Sequence, residues 1–168
     1  MPGQAPVGTK MRKIVDAFAV ILLVLTVATT AHAVYGSDPL PDRIPTHFDA
    51  AGNPDGWGKP AMLWLLPVLS TAIFLLMTWV ARFPSAFNFP ARATVVTRPR
   101  LEAIALKMIS WLKLEVIALF AWIQYQTIAL ARQGRGTLSP VFLPLVLVVV
   151  FGTTVWHIVA MRRVGRSL

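Results

Sequence analysis

Four long apolar runs divide the chain, at about 14–35, 61–82, 101–131 and 140–161. A helix of about 20 residues, rising 1.5 Å per residue, crosses the roughly 30 Å hydrocarbon core of a bilayer. Backbone polar groups in that core must be satisfied internally, which leaves helices or closed barrels. The runs are continuous and show no ten-residue alternation, so helices are expected. The expected fold is an all-α integral membrane protein, a four-transmembrane-helix bundle. Residues 1–13 read as a disordered N-terminus, 14–162 as one membrane domain and 163–168 as a basic tail.

The third run is longer than a bilayer needs. Over 101–131 a helix would reach about 46 Å. Its excess lies at the N-terminal end, where Leu101, Ile104, Ala105, Met108 and Leu112 recur at helical spacing, with Glu102, Lys107 and Lys113 elsewhere. This predicts an amphipathic turn or two that enters the membrane near Leu114.

Composition agrees with the membrane reading. Of 168 residues, 56% are hydrophobic and 14% charged, against roughly 25% charged in soluble domains. The absence of Cys excludes disulfides and thiolate metal sites. The net charge of +9 does not indicate nucleic acid, because the basic residues flank the apolar runs. There they set topology and meet anionic headgroups. Lys10, Arg12, Lys13, Arg82, Arg92, Arg98, Arg100, Arg162, Arg163 and Arg166 fall on one side, and Arg43, Lys59, Arg132 and Arg135 on the other. Ten against four places both termini in the cytoplasm and the 37–60 loop outside the plasma membrane. Ala31-His32-Ala33 resembles a signal-peptidase site, but the preceding apolar run exceeds the roughly 7–15 residues of a signal core. An uncleaved anchor is expected.

The 37–60 loop is the polar exception between apolar runs. Within 40–60 it holds Pro41, Pro45, Pro54 and Pro60, with Gly52, Gly56 and Gly58. Such density of Pro and Gly restricts the chain and marks tight turns. Asn53-Pro54-Asp55-Gly56 predicts a type I turn, and Trp57 fits an interfacial anchor. The spaced motif Pro41, Asp42, Pro45, His47, Phe48, Gly52, Pro54, Asp55, Trp57, with Asp49 inside it, resembles the signature of a bacterial membrane domain of unknown function. That domain forms the N-terminal part of SdpI-type immunity proteins and occurs in small stand-alone proteins. Asn88 and Pro90, in Phe87-Asn88-Phe89-Pro90, resemble its second segment. The resemblance implies a bacterial plasma-membrane protein engaged in toxin tolerance or signal relay. It also implies the 83–113 region as an inner contact surface. The chain departs from full-length SdpI-type proteins in lacking their further C-terminal helices.

The chemistry open to these residues is limited. His47 with Asp42, Asp49 and His32 forms a candidate metal set, although His47-Phe48-Asp49 is not an established ligand spacing. No nucleophile elbow, His-Glu-x-x-His pair or intramembrane Asp dyad accompanies His47. A non-enzymatic protein without cofactor is therefore expected. Asp16 and Glu115 fall near the inner boundary, where Lys113 or Lys13 would pair with them. Gln124, Tyr125, Gln126 and Thr127 lie deeper and predict cross-helix hydrogen bonds of roughly 0.6 kcal/mol each. His157 reads as interfacial. The leading expectation is an outer loop that recognises a peptide, an envelope component or another membrane protein. The alternative is a small transporter or accessory subunit, and either would be compatible with an oligomer.

Overall fold

The computed structural model describes residues 7–90 and 93–166. Helix α1 spans Val7–Tyr35. Strands β1 (Ile44–Phe48) and β2 (Pro54–Gly58) follow. A 3₁₀ turn, Pro60–Trp64, leads into α2 (Leu65–Val80). A second 3₁₀ turn, Pro84–Ala86, precedes α3 (Arg98–Gln133), and α4 runs from Phe142 to Arg166. Three helical stretches are long and apolar enough to cross a membrane: Thr9–Tyr35, Pro60–Val80 and Phe142–Gly165. The chain is a mostly helical membrane protein, and with α3 the helix count is the expected one.

Three sequence expectations need correction. The fold is not all-α, because the 37–60 loop contains an antiparallel pair of strands. The segment 1–13 is not wholly unstructured either. Helix α1 already begins at Val7, since Lys10–Lys13 are good helix formers that extend an apolar helix into water; residues 1–6 lie outside the description. Likewise Arg163 belongs to α4, not to a separate tail, and 167–168 are outside the described residues.

Helix α3 is the centre of the molecule and touches each of the other three helices. Its buried positions include Ser110, Lys113, Ile117, Gln124, Thr127 and Ala131. They recur by threes and fours, the 3.5-residue period of closely packed parallel or antiparallel helices. The facing stripe on α1 is Val15, Ala19, Thr26, Thr30 and Ala33. Four of these five are small, which lets backbones approach where lipid supplies no hydrophobic drive between helices. The outward faces carry the large apolar residues instead: Phe18, Ile21, Val24 and Leu25 on α1, Leu75 and Leu76 on α2, and Val148, Phe151 and Val155 on α4. Polar inside and apolar outside is the arrangement a hydrocarbon solvent favours.

Lys113 is the most consequential member of the stripe. Only 3% of its side chain is exposed, and its Nζ lies 2.9 Å from Asp16 Oδ1 on α1. The same ammonium donates to Thr78 Oγ1 on α2 at 3.1 Å and sits 4.7 Å from the Phe74 ring centroid. One cation thus joins three helices. Three turns further along, Gln124 does the same with neutral groups. It is 1% exposed, and its Nε2 donates to Thr30 Oγ1 at 2.7 Å and to the Leu63 carbonyl at 3.0 Å. Tyr125, grouped with Gln124 in the expected polar stripe, instead faces outward. One residue on, the helix has rotated by about 100°.

The N-terminal excess of α3 does not lie open as an amphipathic stretch. Leu101 and Ala105 are buried with Met161 of α4, and Phe87, Phe89, Ile104 and Met108 pack around them. Pro99 occupies the first turn of α3, and Gly134, at φ +67°, caps its other end by donating to the Leu130 carbonyl.

Removing one partner of a buried ion pair strands the other. Asp16→Leu should lower unfolding stability in detergent by about 3 kcal/mol, the low end of the usual range because Asp16 is a third exposed. Adding Lys113→Met should restore most of that loss. Denaturant titration followed by helical circular dichroism measures both.

Candidate functional site

The candidate site is the hairpin and the space beneath it. Ile44 begins β1 and is wholly buried among Ala33, Leu63 and Ala131, with Val34, Leu40 and Ile128 around them. This apolar plug pins the hairpin to the ends of α1, the 3₁₀ turn and α3. Exposed ion pairs add little at such a place; Arg132 and Asp38, 3.5 Å apart, form one that links α3 to the approach of β1.

The strands pair as Ile44 with Gly58, Pro45 with Trp57, His47 with Gly56 and Phe48 with Pro54, with register irregularities on either side of His47. Pro54 therefore opens β2, a position where its missing N–H costs nothing. The expected turn at Asn53–Gly56 is displaced; residues 49–53 turn instead. Asp49 explains why. Its Oδ1 accepts the backbone N–H groups of Ala51 (2.9 Å) and Asn53 (2.8 Å), and its Oδ2 accepts from Asn53 Nδ2 (3.1 Å). The Gly52 N–H donates to the Asp49 carbonyl at 2.9 Å, and Gly52 adopts φ +85°. Such an Asx arrangement competes strongly with any alternative turn nearby. These bonds, that from the Asn53 backbone foremost, hold the Asp49 carboxyl below its ordinary value of 3.8.

The metal candidates do not converge. His47 Nδ1 lies 2.5 Å from Asp55 Oδ1 across the hairpin, with both side chains largely exposed. Asp49 is committed to its turn, while Asp42 and His32 stand exposed apart from it. Among the described residues, no group of three or more His, Cys, Asp or Glu could hold a metal ion. Of the remaining motif residues, Pro45 is buried, Pro41 is exposed, and Trp57 is half exposed. Asn88 and Pro90 are exposed at the opposite end of the molecule. Their neighbours Phe87 and Phe89 do the packing there.

A cavity of about 280 Å³ lies under the hairpin. Phe48, Leu119, Trp122, Ile123, Phe142 and Leu143 give it apolar walls, and Thr46, His47, Asp49 and Ser139 contribute polar groups. Trp122 and Phe142 stack with ring centroids 3.4 Å apart, joining α3 to the start of α4. A smaller cavity of about 120 Å³ also borders Thr46, Phe48 and Ile123 and is lined by Gln124 and Leu66. The hairpin tip reaches the α3–α4 connection, where the Leu138 N–H donates to the Gly52 carbonyl at 2.8 Å. The motif supplies only the upper part of this cavity. Trp122, Leu138, Phe142 and Leu143 lay outside every expected site residue, and their apolar sequence context carries no signal that separates them from lipid-facing neighbours. Asp49 was detectable as a turn former from Gly52-Asn53 downstream of it.

The profile of a domain of unknown function (DUF1648) matches residues 21–71. That stretch runs from mid-α1 through the hairpin into α2. An uncharacterized protein of the archaeon Archaeoglobus fulgidus is 38% identical over 60 residues, covering 31% of this chain and 33% of that protein. The chain thus spans about a third of that relative's length. No solved structure matches at a significant level.

A Cβ at Gly52 would fall 2.2 Å from the Leu138 carbonyl oxygen, and φ +85° is strained for any L side chain. Gly52→Ala should therefore free the hairpin tip and speed amide exchange at Leu138 at least tenfold, leaving helix content unchanged. Acid should act on the same turn. A carboxyl whose folded value is lowered contributes its full share above the ordinary value of 3.8 and loses it as pH falls through the lowered one. Exchange at Ala51 and Asn53, extrapolated to a common intrinsic rate, should rise across that window in the native protein. In Asp49→Ala it should be fast at every pH.

Proposed function

We propose that the protein is a non-enzymatic plasma-membrane component that recognises an extracytoplasmic peptide segment through its hairpin. The observation that carries this reading is the cavity beneath β1, which offers apolar walls for a bulky side chain and polar groups for the backbone beside it. Pockets of this kind combine an apolar body with a few polar groups that fix orientation. The hairpin is held by backbone bonds and one apolar plug, so it presents a pre-ordered surface and ordering costs on binding are small.

Charge supports the orientation. Lys10, Arg12, Lys13, Arg82, Arg98, Arg100, Arg162 and Arg163 gather at the end opposite the hairpin, against Arg43, Lys59, Arg132 and Arg135 at the hairpin end. Arg92 lies outside the described residues. The positive-inside rule then puts both termini in the cytoplasm and the hairpin outside. Exposed Tyr35, Trp57 and Tyr125 at one end, and Trp79, Phe83 and Trp156 at the other, fit two interfacial belts. All four helices, α3 included, would cross the bilayer, with α3 shielded by the rest. A role in SdpI-like toxin tolerance or signal relay rests on the loop resemblance, and the inner surface around 83–113 would carry the relay.

The transporter reading draws on the buried polar groups of α3. It is weakened by Asp16, whose carboxylate is already matched to Lys113. Peptide display against the protein in lipid nanodiscs separates the two. Selected peptides should share one bulky apolar anchor. Leu143→Trp, which fills the cavity, should weaken their binding by tenfold or more, and Glu115→Gln, away from the hairpin, should leave it nearly unchanged. Equal binding to the filled variant would overturn the recognition reading.

A further inference from the structure

A second cleft lies between α3 and α4, away from the hairpin, and encloses about 590 Å³. Glu115, Lys107 and Trp111 of α3 line it, as do Thr153, Trp156 and His157 of α4. The Thr153 hydroxyl donates to Glu115 Oε1 at 2.6 Å. The other carboxyl oxygen, Oε2, is fully buried and has no hydrogen-bond partner. His157 is 7% exposed, and its Nδ1 lies 2.8 Å from the Thr153 carbonyl oxygen. A carbonyl can only accept, so Nδ1 carries the hydrogen and Nε2 is the basic atom of the ring.

From this geometry we infer that Glu115 and His157 form a proton-binding site, with the proton resident on Glu115. Three observations lead there. A carboxylate with one donor, in a part of the molecule surrounded by apolar helices, is a costly charge. The nearest cation in sequence, Lys113, points to the other side of α3 and is committed to Asp16 and Thr78. Lys107 lines the same cleft two turns away along α3, about 12 Å by helical rise, and is itself exposed. Finally, Oε2 is buried from solvent, so a hydrated or organic cation cannot reach it and a proton can. Leaving a neutral O–H unpaired costs far less than leaving a charge unpaired.

The exchange step is simple. The Oε2–H bond breaks, the electron pair stays on the carboxylate, and the proton leaves through the cleft, where the His157 ring is the basic group that can take it up. No other reactant is needed. Lys107 and His157 are the charged or titratable groups that share the cleft with Glu115 among the described residues. The site is independent of peptide recognition at the hairpin.

Infrared spectroscopy of the protein in lipid bilayers tests the inference. At neutral pH a carboxylic-acid carbonyl band should be present, shift in heavy water and vanish in Glu115→Gln. Thr153→Val should keep the band but move it to higher frequency, because the bond to Oε1 is gone. This second variant carries the assignment if Glu115→Gln does not fold. Trp111 and Trp156 provide an independent readout. Their fluorescence should titrate as Glu115 ionises on raising the pH, and His157→Gln should move that titration to higher pH. Absence of the acid band in the folded native protein at neutral pH would overturn the inference. So would a band that survives Glu115→Gln or ignores Thr153→Val.

Discussion

The ammonium of Lys113 is the constraint around which the bundle is arranged. A charge 3% exposed cannot be left alone in an apolar setting, so helices that meet it must bring partners. Helix α1 brings Asp16, and α2 brings Thr78 and the face of Phe74. Satisfying the cation fixes the rotation of three helices about their axes at once. The small residues of α1 then allow close approach along the rest of the stripe, and Gln124 repeats the tie with neutral groups nearer the hairpin. Dispersion alone would leave these rotations degenerate, because one apolar face packs on another much as it packs on lipid.

Helix α4 is held differently. It packs on α3 through the Met161 cluster, the Glu115–Thr153 bond and the Trp122–Phe142 stack. It makes no ion pair with α1 or α2 among the described residues. The two cavities that matter most here, under the hairpin and beside Glu115, both use α4 as a wall. The trio of α1, α2 and α3 is thus the more firmly tied part, and both of these cavities open at the α3–α4 boundary.

Much of the scaffold was legible in the sequence. Apolar runs of membrane length marked the helices, and Lys113 or Lys13 was expected to pair with Asp16 and Glu115 at the inner boundary; among the described residues Lys113 pairs with Asp16, while Glu115 takes the Thr153 hydroxyl instead. The hairpin was legible as an ordered loop but not as strands. Short strands rich in Pro and Gly carry no alternating pattern, and Pro54-Asp55-Gly56 mimics a turn. The competing device, one carboxylate gathering three donors from 51 and 53, becomes visible only when the backbone path is known. The floor of the cavity was not legible at all. Leu119, Ile123 and Leu143 look the same in sequence whether they face lipid or a pocket, because hydrocarbon and protein interior select the same side chains.

The bonds made by Gln124 bear on what the matched stretch 21–71 is as a physical object. Thr30 and the Leu63 carbonyl lie inside it, and the amide that joins them comes from outside it. The stretch is therefore a half-built interface rather than a self-sufficient module. In this chain a later helix supplies that two-pronged donor at the height of Thr30 and Leu63. An Asn or Gln roughly 60 residues downstream of the Leu63 equivalent, the separation seen here, is the mark to look for when deciding where such a unit ends.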